Sequence, residues 1–316
     1  MARKGLFRKT VQAFWAAATN SYLPGYFQGK IYQGALKRAC LPGLNCYSCP
    51  GSIGSCPIGS LQAVLASPRY IVPFWIAGYL LMVGGLAARL VCGFFCPFGL
   101  VQEALYRIPF PVKARTFRFD RALRKAKYAI LAAFVLAVPQ IASDSAGNGV
   151  PFFCKWLCPA GTLEAALPLM ASSHDLRNLA GFVFLWKALV LAAVAIACLA
   201  VYRAFCRYLC PLGAIYGFFN RFSAYRYAVE EIRCTSCGAC EHACPMAVNP
   251  RVEANSAECI RCGACKAACA RGAIYSAFLF WPLSKRAASH SLKPQARQEA
   301  KLPSREQTAA ERIRSR

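Results

Sequence analysis

The sequence predicts an α-helical membrane protein of about four transmembrane helices, internally duplicated, followed by a C-terminal α+β domain. Of the 316 residues, 57% are hydrophobic and only 16% are charged, whereas the apolar share of an ordinary soluble domain is about 45–50% even with glycine included. The 19 cysteines recur in two repeated motifs. We therefore expect a membrane domain over residues 1–227, a cysteine-rich domain over 228–278 and a basic, disordered tail over 279–316.

Four apolar stretches are predicted to cross a hydrocarbon core of about 30 Å: 10–27, 70–91, 127–142 and 178–202. The third begins near residue 124, and the first is also compatible with a cleaved signal peptide. Residues 107–127 hold eight basic side chains against one acid, whereas 143–177 hold two against three. The positive-inside rule then places the first connection in the cytoplasm and the second outside, so both termini of this inner-membrane protein are expected to be cytoplasmic.

The net charge of +25 comes from 38 basic and 13 acidic residues. Because the basic residues form short runs beside apolar stretches, they suit a membrane surface, and nucleic acid is not expected as a partner. Lys187, within the last apolar stretch, is either a functional group or a side chain that snorkels to the interface. His174, His242 and His290 are the only histidines, and no two of them can clamp a haem within the spans, so a bis-histidine haem is not expected.

The most specific motif is Cys-x2-Cys-x2-Cys-x3-Cys, which occurs twice near the C-terminal end. This spacing is typical of bacterial ferredoxins, in which the fourth cysteine of each copy binds the other cluster. One [4Fe–4S] cluster is therefore predicted on Cys234, Cys237, Cys240 and Cys269. The second is predicted on Cys244, Cys259, Cys262 and Cys265. The alternative is a pair of four-cysteine zinc sites.

A second motif, Cys-Pro-x-Gly, begins four apolar, helix-like stretches at Cys56, Cys96, Cys158 and Cys210. Proline at the first helical position places the preceding cysteine at the N-cap, where the positive helix end favours a metal-binding thiolate. In three copies another cysteine lies four residues earlier: Cys92, Cys154 and Cys206. The copies alternate between the predicted outer and inner faces, which indicates a parallel duplication.

The duplication brings the two inner pairs together, so a further cluster is predicted on Cys92, Cys96, Cys206 and Cys210. In the external part, Ser52 occupies the position of the expected fourth cysteine. The outer site is therefore predicted on Cys49, Cys56, Cys154 and Cys158, with Cys46 as the alternative ligand. Three disulfides among the external cysteines, which include Cys40, are the competing interpretation, because an oxidising periplasm permits them.

These residues resemble the membrane-bound ferredoxins of the periplasmic nitrate-reductase quinol-dehydrogenase family, and the related nitrous-oxide-reductase regulators and copper-oxidase assembly ferredoxins. The resemblance covers roughly residues 70–275 and rests on Cys92/Cys96, Cys206/Cys210 and the eight ferredoxin cysteines. It implies membrane electron transfer. The segment 44–57 and the pair Cys154/Cys158 depart from the pattern of that group.

The sequence thus predicts a membrane electron-transfer protein that passes single electrons from cytoplasmic [4Fe–4S] clusters through membrane-embedded, cysteine-ligated clusters to an external acceptor. The membrane potential favours outward flow by about 2.3 kcal/mol per electron and 100 mV. We expect a subunit of an oxidoreductase system, with a cytoplasmic donor and an external redox partner, rather than a stand-alone enzyme. The alternatives are a thiol–disulfide or metal reductase that uses Cys46 and Cys49, and an assembly factor for a partner metalloenzyme.

Overall fold

A computed structural model of the chain describes residues 2–67, 74–142, 149–172, 177–178, 181–279 and 281–282. The described residues up to 282 belong to one compact unit and are mostly helical. The predicted tail 279–316 lies almost wholly outside the described residues. In the first part of the chain the α-helices are α1 Ala2–Thr19, α2 Pro24–Gln28, α3 Pro57–Leu65, α4 Phe74–Leu86, α5 Leu90–Phe94 and α6 Pro97–Arg107, with a 3-10 turn at Ala35–Arg38.

The central helices are longer but partly irregular. Helix α7, Asp120–Ile130, continues as a π-helix over Leu131–Ala137 and then as α8, Val138–Ile141. Two further π-helical turns, Phe153–Leu157 and Thr162–Ala166, enclose the short α9, Pro159–Gly161. The remaining helices of this part are α10 Leu167–Ser172, α11 Phe182–Ala200, α12 Ala204–Tyr208 and α13 Pro211–Phe219.

Each Cys-Pro-x-Gly motif begins a helix as predicted. Cys56, Cys96, Cys158 and Cys210 are the N-caps of α3, α6, α9 and α13, with proline at the start of each helix. The sulfurs of Cys96 and Cys210 accept hydrogen bonds from the backbone N–H of Gly99 and Gly213, at 3.3 and 3.4 Å. The motif therefore turns Cys96 and Cys210 toward N–H groups in the first turn of their helices.

The C-terminal part contains a small antiparallel sheet. Strand β1, Tyr225–Val229, pairs along its length with β2, Ile274–Phe278, and β2 pairs with the two-residue β3, Trp281–Pro282. A 3-10 turn, Glu231–Arg233, follows β1, and the short helices α14, Ala239–His242, and α15, Ala264–Ala268, carry the cysteine runs. Each run turns into its helix through a glycine with positive φ, Gly238 at 75° and Gly263 at 81°, a conformation that glycine adopts without steric cost.

The prediction of four membrane spans is wrong. In the part of the chain that the structure describes, one helix, α11, is long and apolar enough to cross a membrane, and it is mostly exposed. Within the predicted stretch 70–91, α4 has 13 residues, which corresponds to about 20 Å, and the chain then turns through Ala88 with φ 47°. Within 127–142 the helix is irregular, and Lys127 is fully buried against Glu258. Within 10–27 the first helix ends at Thr19.

Two buried carboxylates join the helices around the Cys-Pro motifs. Glu103 pairs with Arg8 at 2.5 Å and with Arg203 at 2.6 Å. Glu258 pairs with Arg89 at 2.9 Å and with Lys127. Burial of a charge is tolerated only when it is paired and hydrogen-bonded, so these contacts explain why charged residues occur beside apolar stretches. They also attach the C-terminal part, through Glu258, to helix α7 and the start of α5.

Candidate iron–sulfur sites

The C-terminal cysteines surround two separate cavities. The first ferredoxin set, which we define as Cys234, Cys237, Cys240 and Cys269, lines a cavity of about 360 Å³. The second ferredoxin set, Cys244, Cys259, Cys262 and Cys265, lines a second, smaller cavity. Each cavity thus takes three cysteines from one copy of the motif and one from the other, which is the exchange that the spacing predicts.

The thiols within the second ferredoxin set influence one another. Burial raises the pKa of Cys265 to about 12, and the neighbouring thiolates of Cys259, Cys262 and Cys244 act in the same direction. In the first set, the backbone N–H of Ala273 donates to the sulfur of Cys269 at 3.3 Å. Backbone N–H groups aimed at ligand sulfurs are a normal part of iron–sulfur sites.

The inner set consists of Cys92, Cys96, Cys206 and Cys210, which are all buried. Burial raises the pKa of Cys96, and the thiolates of Cys206 and Cys92 raise it further; Cys210 is affected by the other three in the same way. The four thiols of the two Cys-x3-Cys-Pro motifs therefore lie together at one site.

Two fully buried arginines join the halves of the inner set. Arg89 and Arg203 each precede the first cysteine of a motif by three residues. Arg89 donates from Nη2 to the carbonyl oxygen of Cys206 at 2.8 Å, and Arg203 donates to the carbonyl oxygen of Cys92. Each arginine thus binds the opposite motif and brings a positive charge next to the thiols.

The outer set, defined as Cys46, Cys56, Cys154 and Cys158, lines a cavity of about 630 Å³ together with Lys187. Burial raises the pKa of both Cys56 and Cys158 to about 12, while the backbone N–H groups of Gly59 and Gly161 oppose this shift. The helix N-terminus thus lowers the pKa of these thiols, as predicted, but burial raises it by more. Cys46, the alternative ligand of the prediction, borders this cavity, whereas Cys49 is not among its lining residues.

Cys49 lies against a different group of side chains. Its sulfur is 3.3 Å from the hydroxyl oxygen of Tyr26 and donates to Oδ1 of Asn20 at 3.5 Å. Cys40 donates to the hydroxyl of Ser60 at 3.8 Å. Cys198, within α11, donates to Oε1 of Gln102 at 3.6 Å.

Sequence reasoning missed the side chain six residues after each Cys-Pro cysteine. These residues are Gln62, Gln102, Glu164 and Tyr216. Gln62 donates from Nε2 to the sulfur of Cys154 at 3.2 Å, and Gln102 donates to the sulfur of Cys206 at 3.0 Å. Glu164 accepts from the backbone N–H of Cys46 at 2.7 Å. An alignment of the four motif copies would have identified this position.

The four sets fit iron–sulfur clusters in their donor chemistry. All of the cysteines are free thiols, and each set gathers four of them around one site from two separate segments, as a [4Fe–4S] cluster requires. Within the described ranges, no three His, Cys, Asp or Glu side chains converge as they would around a single metal ion.

Comparison with known protein families also indicates iron–sulfur binding. The family described as "4Fe-4S binding domain" matches residues 68–118, 149–167 and 182–226. The match contains the whole inner set and the outer residues Cys154 and Cys158. Cys46, Cys56 and both ferredoxin sets lie outside it. No solved structure matches the chain.

Three relatives indicate how far the similarity extends. An uncharacterized protein of Methanocaldococcus jannaschii is 24% identical over 70% of this chain and 78% of its own length. The methylamine utilization ferredoxin-type protein MauN of Paracoccus denitrificans is 25% identical over 57% of this chain and 56% of its own. The putative electron transport protein YccM of Escherichia coli is 24% identical over 60% of this chain and 49% of its own. The chain therefore spans only about half the length of the two named relatives.

Proposed function

We propose that this chain, an iron–sulfur electron-transport protein of ferredoxin type, passes single electrons along its four cysteine sets in the order first ferredoxin set, second ferredoxin set, inner set, outer set. A [4Fe–4S] cluster, when bound, supplies one-electron redox chemistry. The observation that carries the proposal is that each set adjoins the next, through short chain connections between the two ferredoxin sets and through close backbone packing between the other neighbours. From this we infer that the four sites form one row.

Two short helices connect the ferredoxin sets: Cys240 lies in α14 and Cys265 in α15, and Cys244 and Cys269 follow the C-terminal ends of these helices. Cys240 of the first set and Cys244 of the second are four residues apart, and so are Cys265 of the second and Cys269 of the first. Four residues span at most about 14 Å even when the chain is fully extended. Cysteines four residues apart therefore hold the two sites close together on both sides.

The second ferredoxin set contacts the inner set through Gly93. This glycine follows Cys92, and a Cβ atom at this position would lie 2.5 Å from the carbonyl oxygen of Ile260, which follows Cys259. The backbones of the two sets are therefore packed without an intervening side chain. Nearby, Asn220 donates to the carbonyl oxygen of Cys259 at 2.7 Å, which holds this contact in place.

The inner set contacts the outer set through the segment 42–46. A Cβ atom on Gly43 would lie 2.9 Å from Cα of Cys96, and the backbone of the next residue, Leu44, lies near enough to the Cys96 thiol to oppose the rise in its pKa. Cys46 of the outer set follows two residues later, which is a distance of at most about 7 Å along the chain. The two sites are thus neighbours and not on opposite sides of a 30 Å core.

Tyr216 lies between the same two sets. Its side chain is fully buried, and its hydroxyl donates to the carbonyl oxygen of Pro42 at 3.1 Å. Burial raises the pKa of Tyr216 well above its ordinary value, and the charges of Cys92 and Cys56 act in the same direction. This side chain excludes water from the space between the sets and fixes segment 42–46 in position.

Buried positive charges surround the inner set. Arg89 and Arg203 are fully buried beside its thiols, and the network around Glu103 and Glu258 contains four cations against two anions. The excess of positive charge offsets the negative charge of the four thiolates when they bind a cluster. The same charges favour the reduced form of the site.

Attachment to the cytoplasmic face of the inner membrane through α11 is part of the proposal. The carbonyl oxygen of Ala200, at the end of this apolar helix, accepts from the backbone N–H of Ala114 at 3.0 Å. Ala114 belongs to a segment with exposed basic side chains, among them Lys113 and Arg118. Basic residues beside the end of an apolar helix favour the cytoplasmic leaflet, which supports a cytoplasmic electron donor and an acceptor reached through the outer set.

The experiment delivers less than one electron per chain and follows its distribution by rapid-freeze electron paramagnetic resonance. In the wild-type protein, reduction at the ferredoxin sets is followed by reduction at the inner and outer sites. Cys96→Ala should abolish the inner signal and delay reduction of the outer site, while the ferredoxin sets are reduced at the wild-type rate. Reduction of the outer site at an unchanged rate in Cys96→Ala would contradict the proposed route.

A further inference from the structure

We propose that the outer set is a [4Fe–4S] site whose fourth ligand is Cys46, and that the neighbouring Cys49 is not a ligand. This inference rests on the proposed electron-transfer function and specifies the site from which electrons leave the row. Cys46 and Cys56 lie outside the residues that match the family, and therefore no comparison assigns this ligand set. Two contacts of Cys46 within the chain support this assignment. Each of them is also made by a cysteine of a complete Cys-x3-Cys-Pro motif.

The first relationship concerns the glycine of the Cys-Pro-x-Gly motif. A Cβ atom on Gly59, in the motif of Cys56, would lie 3.9 Å from the sulfur of Cys154. A Cβ atom on Gly161, in the motif of Cys158, would lie 3.6 Å from the sulfur of Cys46. The sulfur of Cys46 thus occupies, beside α9, the place that the sulfur of Cys154 occupies beside α3.

The second relationship concerns the residue six positions after the Cys-Pro cysteine. In the inner set, Oε1 of Gln102 accepts from the backbone N–H of Cys206 at 3.4 Å. In the outer set, Oε2 of Glu164 accepts from the backbone N–H of Cys46 at 2.7 Å. Cys206 is the first cysteine of its motif, so Cys46 supplies the cysteine that the sequence does not provide four residues before Cys56.

The lining of the cavity distinguishes Cys46 from Cys49 as the candidate ligand. Its lining includes Cys46 and the other three cysteines of the outer set, whereas Cys49 is turned toward Tyr26 and Asn20. Lys187 also lines this cavity, and a Cβ atom on Gly161 would lie 3.7 Å from its Nζ. A cation at this place stabilises the negative charge of four thiolates, as the two arginines do at the inner set.

The test compares two alanine variants three residues apart, Cys46→Ala and Cys49→Ala, in the full-length chain purified without oxygen. Iron and acid-labile sulfide are counted per chain, and the reduced proteins are examined by electron paramagnetic resonance. We expect Cys46→Ala to lose about four irons, the content of one cluster, and Cys49→Ala to lose none. Unchanged signals from the two ferredoxin sets verify that each variant is folded.

A second pair of variants keeps the inference falsifiable if one substitution disturbs the loop. Cys154→Ala should lose the same signal as Cys46→Ala, and the double variant should lose no more iron than either single variant, because both residues serve one site. Loss of iron in Cys49→Ala alone, additive losses in the double variant, or a disulfide at Cys46 with unchanged iron would each overturn the ligand set. Iron content does not depend on electron flow, so a full complement of iron without electron passage would refute the proposed function and leave this ligand set intact.

Discussion

Gln102 donates a hydrogen bond from Nε2 to the sulfur of Cys206, with a distance of 3.0 Å between the two atoms. Both residues are buried, so the hydrogen bond is protected from water. Gln62 makes the corresponding bond to Cys154 at 3.2 Å. Hydrogen bonds to ligand sulfurs are one of the means by which a protein sets the reduction potential of an iron–sulfur site, which gives these glutamines a role that can be measured.

Replacement of Gln102 by Leu should make the reduction potential of the inner site more negative. The substitution removes an N–H group that withdraws electron density from the sulfur of Cys206, and therefore the added electron is less well stabilised. The measurement is a redox titration of the inner signal. Gln62→Leu is the matched control, because it should shift the outer signal and leave the inner one unchanged. Equal potentials in wild type and Gln102→Leu would show that the hydrogen bond has no electronic effect.

Replacement of Glu103 by Gln should destabilise the fold strongly. The change removes the charge that compensates Arg8 and Arg203, whose side chains are 7% and 0% exposed, and the loss of one partner of a buried pair costs about 3–5 kcal/mol. Denaturant unfolding followed by circular dichroism measures the difference. In contrast, Glu230→Gln breaks the exposed pair with Arg233 at 3.1 Å and should cost at most about 1 kcal/mol. Similar losses in both variants would contradict this account of the network.

Replacement of Gly93 by Ala should separate the second ferredoxin set from the inner set. The added methyl group would meet the carbonyl oxygen of Ile260 at 2.5 Å, and the backbone shift needed to relieve such a contact costs about 1–3 kcal/mol. We expect slower reduction of the inner site in rapid-freeze experiments. Gly78→Ala is the control, since a Cβ atom there meets nothing within 4 Å and alanine is favoured in a helix by up to about 1 kcal/mol. A wild-type rate in Gly93→Ala would argue against the contact as part of the route.

Replacement of Leu189 by Glu should weaken membrane attachment. Leu189 is 57% exposed on helix α11, and an acidic side chain near the centre of an inserted helix costs about 2.5–3.5 kcal/mol. The fraction of protein that stays with the membrane after alkaline carbonate washing should fall. Ile232→Glu changes an even more exposed residue, at 96%, in the C-terminal part and should have no effect. Equal retention of both variants would contradict attachment through α11.

The grouping of the C-terminal cysteines around two cavities could be predicted because the information for it is local. The repeated spacing determines which cysteines share a turn, and the exchange of Cys244 and Cys269 between the two sets follows from that spacing. The inner set could also be inferred, because its two motifs are complete and alike. The start of each helix at proline followed from the fixed φ of that residue.

A correct prediction of the membrane spans and of the outer set would have required contacts between residues that are far apart in sequence. Hydropathy does not reveal that Lys127 is paired with Glu258, which is 131 positions away, nor that the chain turns at Ala88. For the outer set, Cys46 and Cys49 are equivalent in spacing alone. The distinction comes from Glu164 and Gly161, which lie far along the chain and approach Cys46 only in the folded protein.

The central claim, that the four cysteine sets form one row, is tested most directly by spin–spin interaction in the fully reduced protein. Electron paramagnetic resonance of the wild type should show magnetic interaction between the outer and inner sites, and between the inner site and the second ferredoxin set. In Cys96→Ala, which lacks the inner signal, the outer signal should become that of an isolated centre with slower relaxation, while the two ferredoxin sets still interact. An outer signal with the same shape and relaxation in both proteins would contradict the row.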